Sequence, residues 1–298
     1  MTDVARAVRA LQSGGLVAFP TETVYGLGAD SAQPDAVQRI FTVKCRPPGR
    51  PLTLHIGRHA DPNTWSHWTE QAQALAERFW PGPLTLVLPR RDVADIITGG
   101  LDTVGLRMPN HPLTLELLDR FGGAVPAPSA NRSGQISPTT AQHVLADLGD
   151  QVDVILDGGP CNVGLESTVL SLVHTPTILR QGAIPLQDLS QTVGPIQRAE
   201  IARSARQGPP IALRSSQVLV ASPLPSGTGL LWWGQGAPEA ELSIQLPDDP
   251  AGFANQVWAA LRELQDRGAQ RIWIRQLPSS PPWDALRLRI QGLTDDPP

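Results

Sequence analysis

The stretch FTVKCRPPGRPLTLH, residues 41–55, changes its structural period half-way along. Upstream, Val37, Ile40 and Phe41 fall on one helical face, in a helix that Pro34 opens. Arg46 precedes Pro47, Pro47 precedes Pro48 and Arg50 precedes Pro51, and a residue before proline is driven out of helical geometry. The helix therefore stops near Val43. PLTLHI then reads as a half-buried strand that carries His55. A helix that feeds a strand through a stiff loop is the repeating unit of an α/β or α+β chain.

The same alternation runs outward in both directions. Val4, Val8 and Leu11 form a helical face closed by Gly14 and Gly15, and the strand LVAF follows. Downstream come the helix TEQAQALAERF, the strands LTLVL and TVGLRM, the helix LTLELLDRF and the strand AVPA. A helix from Pro138 to Leu148 with Ser137 as its cap, then the strands VDVIL, STVLSL and PTILR, complete a first region of residues 1–190. Residues 191–214 lose the pattern and read as a linker. Residues 215–298 resume it with QVLVAS, GLLWW and RIWIR as strands and FANQVWAALRELQDRG as an amphipathic helix, which predicts a second, smaller α/β unit.

Composition narrows the function classes. With 41% hydrophobic and 17% charged residues, the chain is expected to be a soluble globular protein. Apolar runs such as LVAF are too short to span a bilayer, and the first residues carry no signal-peptide pattern. Cys45 and Cys161 have no metal-ligand spacing, so a cytoplasmic setting is expected. A net charge of −4 disfavours a surface that attracts nucleic acid everywhere, and leaves room for a local basic site.

Lys44 is the only lysine among 24 basic residues, and it stands with Arg46 and Arg50 in the proline loop. Three cations within seven residues repel one another unless an anion lies between them, and a nucleoside triphosphate would suit. Backbone held extended by proline lowers the entropy that the two guanidinium groups lose on binding. A solvated basic loop is the plainer alternative. No GxxxxGK[ST] is present, and YGLGADS lacks the third glycine of a dinucleotide fingerprint.

Four further segments carry polar chemistry. PTETVYGLGAD, residues 20–30, sets Thr21, Thr23 and the single tyrosine, Tyr25, among glycines after a strand, where a ligand can approach the backbone. In TVGLRM, Val104, Leu106 and Met108 share one face, and Thr103, Gly105 and Arg107 share the other. Arg107 is then a candidate fork for a carboxylate, with a solvated arginine as the alternative. APSANRSGQISPTT, residues 127–140, is small, polar and turn-forming and leads into the helix that Ser137 could cap, where free N–H groups could meet a phosphate. GLESTVL and PTILR place Ser167 at the start of one strand and Arg180 at the end of another.

PTETVYGLG, KCRPPGRPLTLH, TVGLRMP, PSANRSGQISPT, GLESTVL and ILRQGAI, in this order, resemble the YrdC-like family of threonylcarbamoyl-AMP synthases, over about residues 3–190. The resemblance implies a twisted mixed sheet with flanking helices around a concave site. It also implies, for the long form of the family, a Rossmann-like C-terminal domain. The implied activity is that of a nucleotidyltransferase that condenses L-threonine, bicarbonate and ATP to threonylcarbamoyl-AMP and pyrophosphate, for threonylcarbamoyladenosine modification of tRNA through partner proteins. ATP would meet Lys44, Arg46, Thr103, Ser129, Ser137 and Arg180, with Mg2+ as its companion. Lys44 and Arg46 would be the catalytic pair. Threonine would meet Thr23, His55, Arg107, Ser167 and the backbone of Ala127.

Two features depart from that pattern. Many relatives carry asparagine or a small polar residue where this chain has Arg50, so an ATP contact by Arg50 rests on its charge alone. The long form's Pro-Gly and His-Tyr-Ala-Pro linker signature is replaced by GPPIALRSSQVLVASPLP, residues 208–225. The alternatives to a synthase are an RNA-binding module of this fold, with at most weak RNA contact, and a regulatory relative without the activity.

Overall fold

A computed structural model describes residues 3–199, 212–216, 226–236 and 240–291. The chain divides into two compact units, the first formed by Met1–Ser133, Ser137–Asn162 and Glu166–Ala202.

In the first unit, α1 (Asp3–Gln12) leads into β1 (Val17–Phe19) and β2 (Gly26–Gly28), then α2 (Pro34–Lys44) and β3 (Thr53–His55). Next come α3 (Glu70–Phe79), β4 (Leu84–Pro89), the short α4 (Asp95–Thr98), β5 (Thr103–Arg107), α5 (Pro112–Phe121) and β6 (Val125–Pro126). The unit continues with α6 (Ala141–Leu148), β7 (Val154–Ile155), β8 (Thr168–Ser171), β9 (Thr177–Arg180), α7 (Leu186–Val193) and β10 (Gln197–Arg198). Two of these, the end of α7 and β10, fall within the stretch expected as linker. Gln197 and Arg198 pair in parallel with Thr177 and Ile178, so residues past 190 still belong to the first unit's sheet.

The main sheet is mixed, in the order β10-β9-β8-β4-β5-β3-β6, and a smaller sheet runs β2-β1-β7. Cross-strand partners lie on the same face of a sheet. Leu54 pairs with Leu106, Leu86 with both Leu106 and Leu170, and Leu170 with Ile178. All five are buried, which makes that face the hydrophobic one. The opposite face carries the pairs Thr53–Gly105, His55–Arg107, Val87–Gly105, Pro89–Thr103 and Val169–Arg180. The alternation read from TVGLRM is thus the alternation of the whole sheet.

The opening stretch folds as its prolines require. Helix α2 runs to Lys44, and Cys45 closes it in the left-handed region at φ 50°. The Cys45 N–H reaches the carbonyls of Phe41 and Thr42, and the Arg46 N–H returns to Phe41 at 2.8 Å. These bonds satisfy carbonyls that a helix end otherwise leaves open.

One expectation is corrected. Helix α6 begins at Ala141, not Pro138, and its cap is Thr140, whose hydroxyl accepts from the His143 N–H at 3.2 Å. Ser137 lies outside this helix and uses its hydroxyl elsewhere. Pro138 lies outside any helix, with its carbonyl taken by the Tyr25 N–H at 2.9 Å.

The second unit consists of Gly134–Ile136, Val163–Leu165 and Arg203–Pro298. Its elements are β11 (Ala212–Ser216), β12 (Thr228–Trp232), β13 (Leu242–Gln245), α8 (Pro250–Asp266), β14 (Arg271–Arg275) and α9 (Asp284–Gln291). The strands pair in parallel in the order β11-β14-β12-β13. Phe253, Val257, Leu261 and Leu264 of α8 are fully buried with Leu231 and Ile272, as the helical spacing predicts. The expected strand QVLVAS and the greater part of the segment 208–225 lie outside the described residues.

Candidate active site

The polar face of the main sheet gathers residues that the sequence scatters from Thr23 to Arg180. At its centre Arg107 of β5 is only 5% exposed, and its Nη2 donates to the Thr23 hydroxyl at 2.9 Å. Thr23 in turn bonds Thr21 at 2.9 Å, whose hydroxyl donates to the Val24 carbonyl at 2.6 Å. The turn that the threonines and glycines predict is therefore tied directly to the arginine. His55 stands beside Arg107 in register and packs edge-on to Phe19, with ring centroids 5.7 Å apart. Burial, with the nearby Arg107 charge, pushes His55 down to about 3, so its ring is neutral.

Ser167 joins the same face from β8. Its hydroxyl lies 2.9 Å from that of Thr85 and accepts from Arg180 Nη2 at 2.8 Å, while Arg180 Nε donates to its carbonyl at 3.0 Å. Thr85 is fully buried, and its methyl group is the nearest neighbour that a side chain on Gly105 would meet, at 3.1 Å. A side chain on Gly105 would crowd Thr85, Thr53 and Val87, so the glycine keeps this part of the polar face clear. Thr103 flanks it further along β5.

The segment 127–133 adds to the site. It pairs with the glycine turn: the Leu27 N–H bonds the Pro128 carbonyl, and the Ala130 N–H bonds the Tyr25 carbonyl. Lys44 reaches this segment from the end of α2. Its amine donates to the carbonyls of Ser129 and Asn131, and the Lys44 carbonyl accepts from the Ser133 N–H at 2.8 Å. Lys44 is 1% exposed. Burial above all, then the charge of Arg46, pushes its amine down to about 7. Burial and the charge of Arg50 likewise lower Arg46, to about 10, at which it is still a cation near neutrality. The repulsion expected within KCRPPGR is thus present. Arg46 is half-buried and donates to the Pro51 carbonyl at 3.1 Å, and Arg50 is exposed. Ser137 is buried, and its hydroxyl donates to Glu166 at 3.0 Å.

Sequence reasoning missed three contributors. Thr85 sits at an alternate position of LTLVL, where a threonine among leucines marks the polar face of a strand. Thr53 is marked in the same way in PLTLHI. Glu22 lies in PTETVYG beside the singled-out Thr23. Its carboxylate is 2.9 Å from Arg107, with both side chains under 10% exposed, and its second oxygen accepts from the Asn110 N–H at 3.0 Å. Its signal was a carboxylate in an otherwise uncharged glycine turn, and only the fold shows its partner. Tyr25 serves the framework: its hydroxyl donates to the Gly159 carbonyl at 2.8 Å, and burial pushes it up to about 12.

The arrangement is thus a buried arginine fork, a neutral imidazole and a row of hydroxyls beside a cationic loop. A family model, Sua5/YciO/YrdC, described as telomere recombination, matches residues 9–182. The chain belongs to this family. Among curated relatives, the threonylcarbamoyl-AMP synthase of Pyrococcus abyssi is 47% identical over 190 residues, which is 63% of this chain and 56% of that protein. The Bacillus subtilis enzyme of the same name is 46% identical over 200 residues, 65% of this chain and 57% of that protein. The sequence match therefore spans little more than half of these relatives. Backbone likeness extends further: the crystal structure of P. abyssi Sua5 complexed with L-threonine aligns over 99% of this chain and 95% of its own, with TM-score 0.89 and 33% identity. Among the described residues, no helix is long and apolar enough to cross a membrane.

Proposed function

We propose that this member of the Sua5/YciO/YrdC family is an L-threonylcarbamoyladenylate synthase. The observation that carries the reading is the convergence of His55, Thr23, Ser167 and Arg107 on one buried polar face of the sheet. Relatives named threonylcarbamoyl-AMP synthase and a likeness to a threonine-bound Sua5 structure support it. L-Threonine would present its carboxylate to Arg107 and Ser167 and its small side chain to His55 and Thr23, with the Ala127 backbone closing the pocket. ATP would lie along Lys44, Arg46, Thr103, Ser129, Ser137 and Arg180, with Arg50 at its outer end.

In the reaction, the threonine amine combines with bicarbonate to form a carbamate and release water. A carbamate oxygen then attacks the α-phosphorus, and the bond to the departing pyrophosphate breaks. No enzyme nucleophile is required, so catalysis is a matter of positioning and charge stabilisation. Arg46, cationic and half-buried, is suited to the charge that develops on the phosphates. Lys44 is suited to hold the Ser129–Asn131 segment against them. Mg2+ is the ion expected with ATP. Its place would be on the phosphates of the nucleotide.

The product would pass to the proteins that transfer threonylcarbamoyl to tRNA. The parallel sheet β11-β14-β12-β13 with α8 supports a Rossmann-like reading of the second unit. An RNA-binding role is the weaker reading, since the net charge is −4. The deciding experiment measures pyrophosphate release from ATP with and without L-threonine and bicarbonate. Release is expected only when all three are present, and Arg46→Ala should abolish it while leaving the melting curve unchanged. Release that is indifferent to threonine would overturn the proposal.

A further inference from the structure

Glu22 is a charged side chain that neither the expected ATP contacts nor the expected threonine contacts use. It is 6% exposed. One oxygen accepts from the Asn110 N–H at 3.0 Å, which fixes the carboxylate in place. The other, Oε1, lies 2.9 Å from Arg107 Nη2 but has no aligned hydrogen-bond donor among the described residues. Arg107 Nε likewise has no acceptor, because Nη2 is turned to Thr23. The ion pair thus leaves two buried atoms of opposite charge, Glu22 Oε1 and Arg107 Nε, without an aligned hydrogen bond. Buried polar atoms in native proteins are rarely left so, and those that are call for an explanation.

Counting charge explains it. Arg107 contributes a positive charge and Glu22 a negative one. His55 is neutral, because burial and Arg107 push its pKa down to about 3. The pocket is therefore neutral overall but strongly polarised. A simple carboxylate that enters it gains Arg107 and meets Glu22 as a like charge. A zwitterion carries a carboxylate for the Arg107 Nε edge and an ammonium for Glu22 Oε1, so it satisfies both atoms at once.

We propose that Glu22 is the residue that makes this pocket select α-amino acids over the same acids without the amine, by receiving the substrate ammonium while holding Arg107 for the carboxylate. The inference rests on the reading of this face as an amino-acid site and adds the group that reads the amine.

The test is calorimetric titration of the full chain with L-threonine and with 3-hydroxybutyrate, which lacks only the amine. The wild-type protein should bind threonine at least about thirtyfold more tightly, the penalty typical of a truncated partner in a buried charge pair. Glu22→Gln keeps the shape and the bond to Asn110 but removes the charge. It should cut the preference to within about threefold, by weakening threonine and strengthening 3-hydroxybutyrate. A role in folding alone would weaken both ligands equally, and that result overturns the inference. Glu22→Asp keeps the charge and should keep the preference, even with both affinities reduced. If the glutamine variant does not fold, loss of preference in the aspartate variant overturns the inference. A wild-type protein that binds neither ligand removes the amino-acid site itself, and pyrophosphate release independent of threonine would show the same failure separately.

Discussion

Binding of ATP should draw a proton onto Lys44. The amine is 1% exposed and donates to two backbone carbonyls, and its pKa is pushed down to about 7 from 10.5 by burial and by Arg46. A neutral amine has two N–H groups, enough for those two acceptors. At pH 8 a group with that pKa is only about one-tenth protonated. A triphosphate laid beside it and Arg46 favours the charged form and would return the pKa towards its ordinary value. The sign follows: the complex holds more protons than the free protein between about pH 7 and 10, so affinity falls as pH rises through that window. At pH 8 the uptake should be about 0.9 proton per ATP, and the dissociation constant should rise about tenfold per pH unit from 8 to 9. The γ-phosphate is already fully ionised there and adds no slope of its own. Titration calorimetry in buffers of different ionisation enthalpy measures the uptake directly. Lys44→Met should abolish the greater part of it. Heats that do not depend on the buffer, with a flat affinity between pH 8 and 9, would refute the account of Lys44 as a buried, discharged amine.

Three substitutions test the rest of the face. Gly105→Ala adds a methyl group 3.1 Å from the buried Thr85 side chain, on the face expected to hold substrate, and should raise the KM for threonine at least about tenfold. Thr85→Val deletes the hydroxyl that lies 2.9 Å from Ser167 and leaves a buried group short of a partner. It should cost about 1–3 kcal/mol of stability, read by chemical denaturation, and lower turnover as well. Arg107→Lys replaces a fork by a single point, and should abolish threonine-dependent pyrophosphate release while ATP binding, followed by calorimetry, persists.

The likeness to synthases is carried by elements that touch one another only after folding. His55 and Arg107 are 52 positions apart in sequence, yet β3 and β5 place them in register. Any sequence argument for a shared site had to rest on the order of motifs, because no local spacing encodes that pairing. Ser137 shows the opposite failure. A proline one residue later made it a good helix cap, but the Tyr25 N–H claims the Pro138 carbonyl and Glu166 claims the hydroxyl, so tertiary hydrogen bonds outweighed a local propensity worth about 1 kcal/mol. Residues near 195 looked like a linker because two-residue strands carry too little periodicity to be read, and β10 becomes a strand only by adding to the edge of β9.

Period and proline were enough to establish from sequence alone that this is an alternating α/β chain, that α2 must end at the cationic loop, and that Arg107 lies opposite a hydrophobic face. Those are local matters, governed by backbone sterics and by which side of a strand meets water. Charge and burial state needed the assembled fold. The Lys44 amine is pushed down to about 7, His55 is neutral and Glu22 is paired with Arg107 because of what surrounds them, and those surroundings come from segments up to 88 positions away. Desolvation and Coulomb interaction depend on distance through space, which the order of residues along a chain does not specify.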